Sequence, residues 1–254
     1  MQISLASRRA LVTGGSKGLG FAIAGRFIES GAKVAIVARG TAALAKAAAA
    51  TGAVPIAADI ATSEGCDRAY AEAERALGGI DILVNNAGTS ARGPFMEVSD
   101  AAWQADLDLK LFAAIRLSRL AWRGMERRGW GRIINVLNIG AKAPPAGGAP
   151  TAVSRAAGLA LTKVLAGEGA ASNILVNALL VGIIESDQWV RRHAADGRGL
   201  SWEQWKSEQG KGVPLGRIGR AEEFADTACF LASDNAGYIT GTAINVDGGR
   251  SPVV

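Results

Sequence analysis

Short apolar runs alternate with longer amphipathic stretches along the whole chain. The runs are rich in Val, Ile and Leu and predict seven buried strands, at Ala10–Thr13, Lys33–Ala38, Val54–Ala57, Asp81–Asn85, Arg132–Leu137, Ile174–Leu180 and Ala243–Val246. The stretches between them predict helices near 19–30, 41–51, 63–77, 100–129, 151–169 and 222–232. Near-continuous apolar strands separated by helices are typical of a parallel sheet covered on both faces. We therefore predict an α/β fold in which residues 1–254 form a single doubly wound Rossmann-type domain around a seven-stranded parallel sheet.

Segment 185–213 interrupts this alternation. It follows the sixth predicted strand, shows poor periodicity, and contains three of the six tryptophans and the only histidine. One interpretation is a surface excursion with a small core of its own. We favour a lid over the carboxyl ends of the strands, because open α/β sheets bind ligands there. The tryptophans favour a partly apolar substrate, whereas the five basic and five acidic residues of the segment cancel and give no sign of an anionic one.

The composition excludes several classes of protein. Of the 254 residues, 49% are apolar and 20% are charged, which excludes a disordered chain. The presence of only two cysteines excludes a disulfide scaffold and indicates a reducing compartment, and a single histidine excludes a multi-histidine metal site. No apolar run approaches the roughly 20 residues of a membrane span, and Met1–Arg9 has no stretch typical of a signal peptide. We therefore expect a cytoplasmic protein without a membrane partner.

The net charge of +5 has a local origin. Residues 116–132 contain six arginines and one acid. The spacing of Arg116, Arg119, Arg123 and Arg127 predicts that they share one helix face. That face is either solvated or subunit-facing, and a docking site for a phosphorylated partner is the alternative. Aromatic residues do not interleave with the arginines as a nucleic-acid platform requires, so we expect no nucleic-acid partner.

A glycine-rich turn follows the first predicted strand. Gly14, Gly18 and Gly20 form a GxxxGxG pattern directly before a predicted helix. Glycines permit the tight turn and let backbone N–H groups approach a pyrophosphate, which then lies at the helix N-terminus. The pattern therefore predicts a dinucleotide site formed by Gly14, Ser16, Lys17, Gly18, Leu19 and Gly20.

The end of the second predicted strand indicates which dinucleotide binds. Sites that prefer NAD place an acid there for the adenosine ribose, whereas this strand ends in Ala38-Arg39. Arg39, together with Lys17 in the glycine turn, suits the 2′-phosphate of NADP(H). The alternative is that both are ordinary surface cations. We expect NADP(H) to be preferred over NAD(H).

With these features, the chain resembles the short-chain dehydrogenase/reductase family from end to end, and in particular its members similar to 3-oxoacyl-carrier-protein reductases. Besides the glycine turn, the resemblance rests on Asp59-Ile60, Asn85-Asn86-Ala87-Gly88, Pro214-Leu215-Gly216-Arg217, Phe230-Leu231-Ala232-Ser233, Tyr238-Ile239-Thr240-Gly241 and Val246-Asp247-Gly248-Gly249.

The resemblance implies further cofactor contacts and an assembly. It implies that Asp59 and Ile60 contact adenine and that the adenosine side of the cofactor is lined by Asn86, Ala87 and Gly88. At the nicotinamide end it implies a role for Gly182, Ile184 and Ser186. It also implies a homotetramer, or a homodimer, built partly through the helices near 100–129 and 151–169.

The family's four catalytic positions carry other residues in this chain. The family uses a Tyr as proton donor, a Lys that lowers the pKa of that Tyr, a Ser that polarises the carbonyl and an Asn that holds a relay water. In the register of the resemblance these positions hold Thr151, Arg155, Asn138 and Lys110, in that order. Threonine is far too weak an acid and arginine relays no proton, whereas the asparagine amide can donate to a carbonyl. We therefore expect little activity on the family's ordinary ketone substrates.

Three functions remain open. An NADP-dependent oxidoreductase needs another acid, and Lys110 is the candidate because desolvation beside Arg155 would lower its pKa. The alternative for Lys110 is a helix residue whose ammonium reaches solvent or pairs with Asp106 or Asp108. A lyase, isomerase or hydrolase would use Lys110, Arg155 and Asn138 as a polar, cationic site for a carboxylate or enolate. The third function is a cofactor-binding protein without catalysis.

Overall fold

Neighbouring residues of each strand pack on opposite faces of the sheet. The computed structural model describes residues 3–254. On the first strand, Leu11 belongs to one hydrophobic cluster and Val12 to another, and both side chains are fully buried. Ile82 and Leu83 on the central strand divide in the same way. Because helices cover both faces, both sets of side chains are apolar, which explains why the strands have continuous apolar sequences.

The predicted seven-stranded parallel sheet is confirmed. Its strands are β1 Arg9–Thr13, β2 Lys33–Ala38, β3 Val54–Ala57, β4 Ile82–Asn85, β5 Gly131–Asn138, β6 Ile174–Val181 and β7 Ala243–Val246. They lie in the order β3-β2-β1-β4-β5-β6-β7, and every neighbouring pair is parallel. The chain reverses its direction of travel across the sheet between β1 and β4. A ligand crevice is expected beyond the carboxyl ends of these two strands.

The helices agree with the predicted ranges, with one interruption and two additions. They are α1 Gly18–Glu29, α2 Thr41–Thr51, α3 Ser63–Leu77, α4 Asp100–Leu107, α5 Ala113–Arg128, α6 Thr151–Gly169, α7 Asp187–Ala195, α8 Trp202–Gly210 and α9 Ala221–Ala232. The single helix predicted over 100–129 is broken by a π-helical turn at Asp108–Phe112. Such turns often occur at functional sites, and this one contains Lys110.

Segment 185–213 contains the two helices that its weak periodicity did not predict, α7 and α8. Helix α8 begins at a capping box formed by Ser201 and Gln204. The two helices pack around an aromatic cluster in which the ring centroids of neighbours are 5.3–5.8 Å apart, formed by Trp189, His193, Trp202 and Trp205. The segment therefore has a small core of its own, as the surface-excursion interpretation requires.

The arginine-rich helix α5 presents most of its cations to solvent. Arg119, Arg123 and Arg127 are exposed, whereas Arg116 is half-buried and donates from Nη1 to the Ala61 carbonyl oxygen at 3.1 Å.

Within residues 3–254, no helix is long and apolar enough to cross a membrane.

Candidate active site

Two adjoining cavities lie at the carboxyl ends of the strands. The larger has a volume of about 700 Å³ and is bordered by the glycine turn, the loop after β4, the end of β5, the start of α6 and the segment that leads into α7. The smaller has a volume of about 230 Å³ and is bordered by Ser16, Arg39, Asp59 and Ile60. Both cavities share Gly14 and the loop residues 87–89, so they form one elongated cleft.

Hydrogen bonds fix the glycine turn to the loop after β4. The Asn86 amide nitrogen Nδ2 donates to the Thr13 carbonyl oxygen at 2.8 Å. The backbone N–H groups of Asn86 and Ala87 donate to Thr13 Oγ1 at 2.9 and 3.0 Å. Gly14 and Gly18 have φ values of 67° and 54°, which favour glycine. These contacts place the N-terminus of α1 at the floor of the cleft, where its free backbone N–H groups can stabilise an anion.

Gly20 is the glycine whose replacement we expect to damage this turn most. A Cβ atom at residue 20 would overlap the Gly14 carbonyl oxygen and lie 2.5 Å from Asn86 Nδ2. We predict that Gly20→Ala abolishes NADPH binding and lowers the free energy of unfolding by about 1–3 kcal/mol, as overpacking does. Gly25→Ala on the same helix is the control, since its Cβ would meet only Thr51 Cγ2 at 3.8 Å. Titration of NADPH fluorescence and urea unfolding measure both effects; equal NADPH affinity in the two variants would contradict the prediction.

The structure separates the two cations that the sequence had placed together at the 2′-phosphate. Arg39 borders the smaller cavity beside Asp59, with 3.8 Å between Nη1 and Oδ2. Lys17 borders the larger cavity, and its Nζ lies 3.3 Å from Oδ1 of Asp187 in α7. The side chain of Lys17 extends towards α7, so a place for Lys17 at the 2′-phosphate stays a prediction. Arg39 is left as the cation at the adenine end.

Asn138, Thr151 and Arg155 border the larger cavity together, as their register predicted. Arg155 is only 9% exposed, and a Cβ atom at Gly88 would overlap its Nη2, so the guanidinium lies against the loop after β4. Within residues 3–254 this guanidinium has no hydrogen bond or ion pair, and Asn138 Oδ1 is buried without a partner. An unpaired buried polar atom is costly, so Asn138 Oδ1 indicates a donor that a ligand supplies, and the unpaired Arg155 guanidinium borders the cavity that would hold this ligand. Burial lowers the pKa of Arg155 to about 10, against the attraction of Asp106.

Lys110 does not face the cleft directly. Its side chain is fully buried behind Thr151, and its ammonium donates to Asp106 Oδ1 and, at 2.7 Å, to Thr151 Oγ1. Of the alternatives for Lys110, the pairing with Asp106 is therefore the one that occurs. Burial lowers the pKa of Lys110 to about 8; the hydrogen bond to Asp106 opposes this shift and the Arg155 charge adds to it.

Two residues complete the cluster around Lys110. Asp106 Oδ2 accepts a hydrogen bond from Ser154 Oγ at 2.6 Å, so both carboxylate oxygens are occupied. Thr151 Oγ1 donates to the Ala91 carbonyl oxygen at 2.6 Å and accepts from the Ala91 N–H at 3.0 Å. Ser154 is a member of this cluster that the sequence did not predict. The only signal of this cluster in the sequence is the i, i+4 spacing of Asp106 and Lys110, because Ser154 lies on a different helix.

The predicted nicotinamide-end residues also reach the larger cavity. Gly182, Ile184 and Ser186 border it just before α7. A Cβ atom at Gly182 would lie 2.6 Å from Asp247 Cα, so the close approach of β6 to the C-terminal loop requires glycine. Asp59 and Ile60 border the smaller cavity, at the position of the implied adenine contact.

Comparison with known proteins establishes the family. The family model described as enoyl-(acyl carrier protein) reductase matches residues 14–251. Acetoacetyl-CoA reductase of Shinella zoogloeoides is 36% identical over 245 residues, which are 96% of this chain and 98% of that protein. The chain belongs to the short-chain dehydrogenase/reductase family. Within it, 3-oxoacyl-[acyl-carrier-protein] reductase of Aquifex aeolicus (strain VF5) is 34% identical over 257 residues, covering 98% and 99% of the two chains.

A solved structure of the same family has nearly the same fold. L-sorbose reductase from Gluconobacter frateurii, complexed with NADPH and L-sorbose, superposes with a TM-score of 0.95 and 35% identity over 100% of both chains. In the protein described here, neither of the two tyrosines borders the cleft. Tyr70 Oη donates to Glu74 on α3 at 3.1 Å, and Tyr238 is fully exposed.

Proposed function

We propose that the protein is an NADP(H)-dependent oxidoreductase that interconverts a carbonyl and an alcohol on a small-molecule substrate without the family's Tyr and Lys. The observation that carries the proposal is the buried, unpaired Arg155 guanidinium on the wall of the cleft, beside Asn138 and Thr151. The relatives support it as well. One structural neighbour is a reductase complexed with NADPH, and the sequence relatives are named as reductases of acyl thioesters.

The cleft fits a nicotinamide dinucleotide. The glycine turn packs so closely against Gly20 that a Cβ atom would not fit there, and the N-terminus of α1 that follows this turn suits a pyrophosphate. Arg39 would hold the 2′-phosphate, and the Arg155 donors match the hydroxyls of the nicotinamide ribose. When bound, the cofactor supplies or accepts the hydride. The protein's own residues orient the substrate carbonyl and deliver the proton.

The carbonyl is oriented and polarised by Asn138 and Arg155. The Asn138 amide nitrogen Nδ2 donates to the carbonyl oxygen, a role that its place at the end of β5 on the wall of the cavity supports. The Arg155 cation stabilises the negative charge that develops on that oxygen during hydride transfer. Fixed donors in a water-poor site lower the barrier more than the same groups do in water.

The proton comes from Lys110 through Thr151. As the Thr151 hydroxyl gives its proton to the substrate oxygen, Thr151 Oγ1 receives one from the Lys110 ammonium 2.7 Å away. The product is an alcohol and Lys110 is left neutral, to be protonated again from solvent. The relay requires the Thr151 hydroxyl to turn from the Ala91 carbonyl oxygen towards the cavity. A donor with a pKa of about 8 is well matched to this transfer near neutral pH.

We also propose a lid and an assembly for this enzyme. Segment 185–213 is proposed as the lid because Trp189 and Arg192 of α7 border the larger cavity. Exposed apolar side chains at Phe112, Val153 and Val164 support a homotetramer or homodimer built through the π turn and α6.

Cofactor preference is tested at Arg39. We predict that Arg39→Asp lowers NADPH affinity by about ten- to a hundredfold, because it removes a charge-assisted contact to the 2′-phosphate and adds repulsion. NADH affinity is expected to change little or to rise. Calorimetric titration of both cofactors measures this, with the exposed Arg68→Asp on α3 as a charge-matched control. Equal affinities of the parent protein for NADPH and NADH would contradict the assignment.

A second candidate function is cofactor binding without turnover. The hydrogen bonds of Thr151 to both backbone groups of Ala91 favour it, since they hold the hydroxyl in place. A panel of small ketones and aldehydes, offered with NADPH, separates the two candidates. The proposed function predicts NADPH consumption with at least one compound, whereas binding without consumption across the panel supports the second candidate.

A further inference from the structure

Basic side chains outnumber acidic ones on the wall of the larger cavity. Six basic residues border it, against the single acid Asp187, and they come from the glycine turn, the loop after β4, α6, α7 and the C-terminal segment: Lys17, Arg92, Arg155, Arg191, Arg192 and Arg250. A cleft lined by one sign of charge concentrates ligands of the opposite sign. Its charge is therefore informative about the substrate as well as the cofactor.

The structure explains how a segment with no net charge produces this asymmetry. In segment 185–213, Arg198 pairs with Asp196 and with Glu208 away from the cavity. Lys206 pairs with Glu203 and Glu185 in the same way, with Nζ–O distances of 2.7 and 3.8 Å. Most acidic side chains of the segment therefore form ion pairs within it, while Arg191 and Arg192 of α7 border the cavity. Counting charges along the sequence gave no sign of an anionic substrate because it does not show this division.

Within residues 3–254, three of the arginines besides Arg155 have no acidic partner, namely Arg92, Arg192 and Arg250. Arg192 packs over the Trp189 ring, with its guanidinium carbon 4.6 Å from the ring centroid. Arg250 donates from Nη1 to the Gly212 carbonyl oxygen at 2.7 Å, and the side chain of Arg92 has no hydrogen bond or ion pair within residues 3–254. By contrast, Lys17 and Arg191 both pair with Asp187 near the glycine turn.

The proposed cofactor does not account for these three arginines. Its pyrophosphate belongs to the glycine turn and its 2′-phosphate to Arg39 in the smaller cavity. Arg92 is part of the short antiparallel pair of Arg92–Gly93 with Ala149–Pro150 and lies opposite Pro150, the residue before Thr151, so it belongs to the substrate end of the cleft. Arg192 and Arg250 come from the lid segment and the C-terminal segment, on the other walls.

We propose that the substrate carries an anionic group, a carboxylate or a phosphate, which binds to Arg92, Arg192 and Arg250 while its carbonyl lies at Asn138 and Thr151. The position of the carbonyl rests on the proposed function; the anion site does not. Guanidinium groups bind both kinds of anion through paired N–H donors, so the shared chemistry is an oxyanion attached to a small carbonyl compound. The Trp189 ring beneath Arg192 provides the apolar surface for the rest of the molecule.

Binding measurements with matched anionic and neutral compounds test this proposal. Acetoacetate is compared with methyl acetoacetate, and dihydroxyacetone phosphate with dihydroxyacetone, by calorimetry on the protein saturated with NADP⁺. We expect at least one anion to bind about tenfold more tightly than its neutral counterpart, as one charge-assisted hydrogen bond provides. The compound pair that shows the larger difference distinguishes carboxylate from phosphate.

Arginine variants locate the effect. Arg192→Gln and Arg250→Gln are expected to remove most of the difference between anion and neutral compound. Arg119→Gln on the exposed face of α5 changes the net charge equally and is expected to preserve it. Three outcomes would overturn the proposal: equal binding of each matched pair, no binding of either anion at millimolar concentration, or the same loss in all three variants. These experiments measure binding and not turnover, so they test the anion site separately from the redox function. Anion binding without NADPH consumption would support the anion site and contradict the proposed function.

Discussion

Replacing Lys110 with methionine is expected to lower turnover by about 10²–10⁴-fold while leaving NADPH binding nearly unchanged. The variant removes the only group beside Thr151 that can lose a proton near neutral pH, since arginine and amide groups cannot. It also leaves the buried Asp106 carboxylate without its ion-pair partner, which is expected to cost about 3 kcal/mol of the free energy of unfolding. Steady-state kinetics and urea unfolding measure the two effects separately.

Two controls separate proton delivery from structural support. The double variant Asp106→Asn/Lys110→Met removes the isolated carboxylate charge, so it is expected to recover part of the lost stability and none of the turnover. Thr151→Ser keeps the hydroxyl of the relay and is expected to retain activity that Thr151→Val loses. A Lys110→Met variant with parental turnover would remove Lys110 from the mechanism.

The pH profile reports on the same group. Lys110 gives its proton during carbonyl reduction, so reduction is expected to fall as pH rises through the pKa of about 8. Alcohol oxidation requires neutral Lys110 and is expected to rise over the same interval. Because the Arg155 charge contributes to the lowered pKa, removing that charge is expected to move both profiles to higher pH.

Replacing Arg155 with methionine is expected to stabilise the protein and to impair its function. The buried cluster contains Asp106, Lys110 and Arg155 and carries one excess positive charge, which the variant removes. We predict a gain of about 1–3 kcal/mol in the free energy of unfolding, because a buried cation without a partner is costly. Turnover is expected to fall by about 10²–10³-fold, as when a donor to a developing oxyanion is lost, and NADPH is expected to bind more weakly.

Arg155→Lys is the matched control for this prediction. It keeps the charge and its burial cost, so it is expected to gain no stability, while retaining part of the NADPH affinity. If Arg155→Met proved less stable than the parent protein, the guanidinium would be a structural element of α6 and its unpaired donors would not indicate a ligand.

The sequence predicted the architecture because the physical signals are local. Each strand is a short apolar run, and its burial on two faces leaves no polar positions to obscure it. The helix over 100–129 was predicted as continuous because a π turn adds a single residue and leaves the composition unchanged. Helices α7 and α8 were missed because each is only nine residues long and mostly polar, and their apolar contacts are made by a few aromatic rings within the segment.

The candidate site could be predicted only in part. The residues on the wall of the cleft, Asn138, Thr151 and Arg155, follow from the register because strand ends and helix starts fix where they lie. The orientation of long side chains does not follow from it. Lys17 turns towards Asp187, and Lys110 towards Asp106 and Thr151, because each finds its partner on an element distant in the sequence or across a π turn. The net charge of the cleft likewise depends on which acidic side chains form ion pairs away from it, and the sequence does not show this.

The proposed reaction transfers a hydride between NADP(H) and a carbonyl compound, with the proton supplied by Lys110 through Thr151. The most direct measurement uses NADPH deuterated at nicotinamide C4 with a panel of small carbonyl compounds, the anionic ones included, and detects deuterium in the product by mass spectrometry. We expect a deuterated alcohol from at least one compound with the parent protein and with Thr151→Ser, and about 10²–10⁴-fold less of it in the same time with Thr151→Val or Lys110→Met. Tight NADPH binding without deuterium in any product would contradict it.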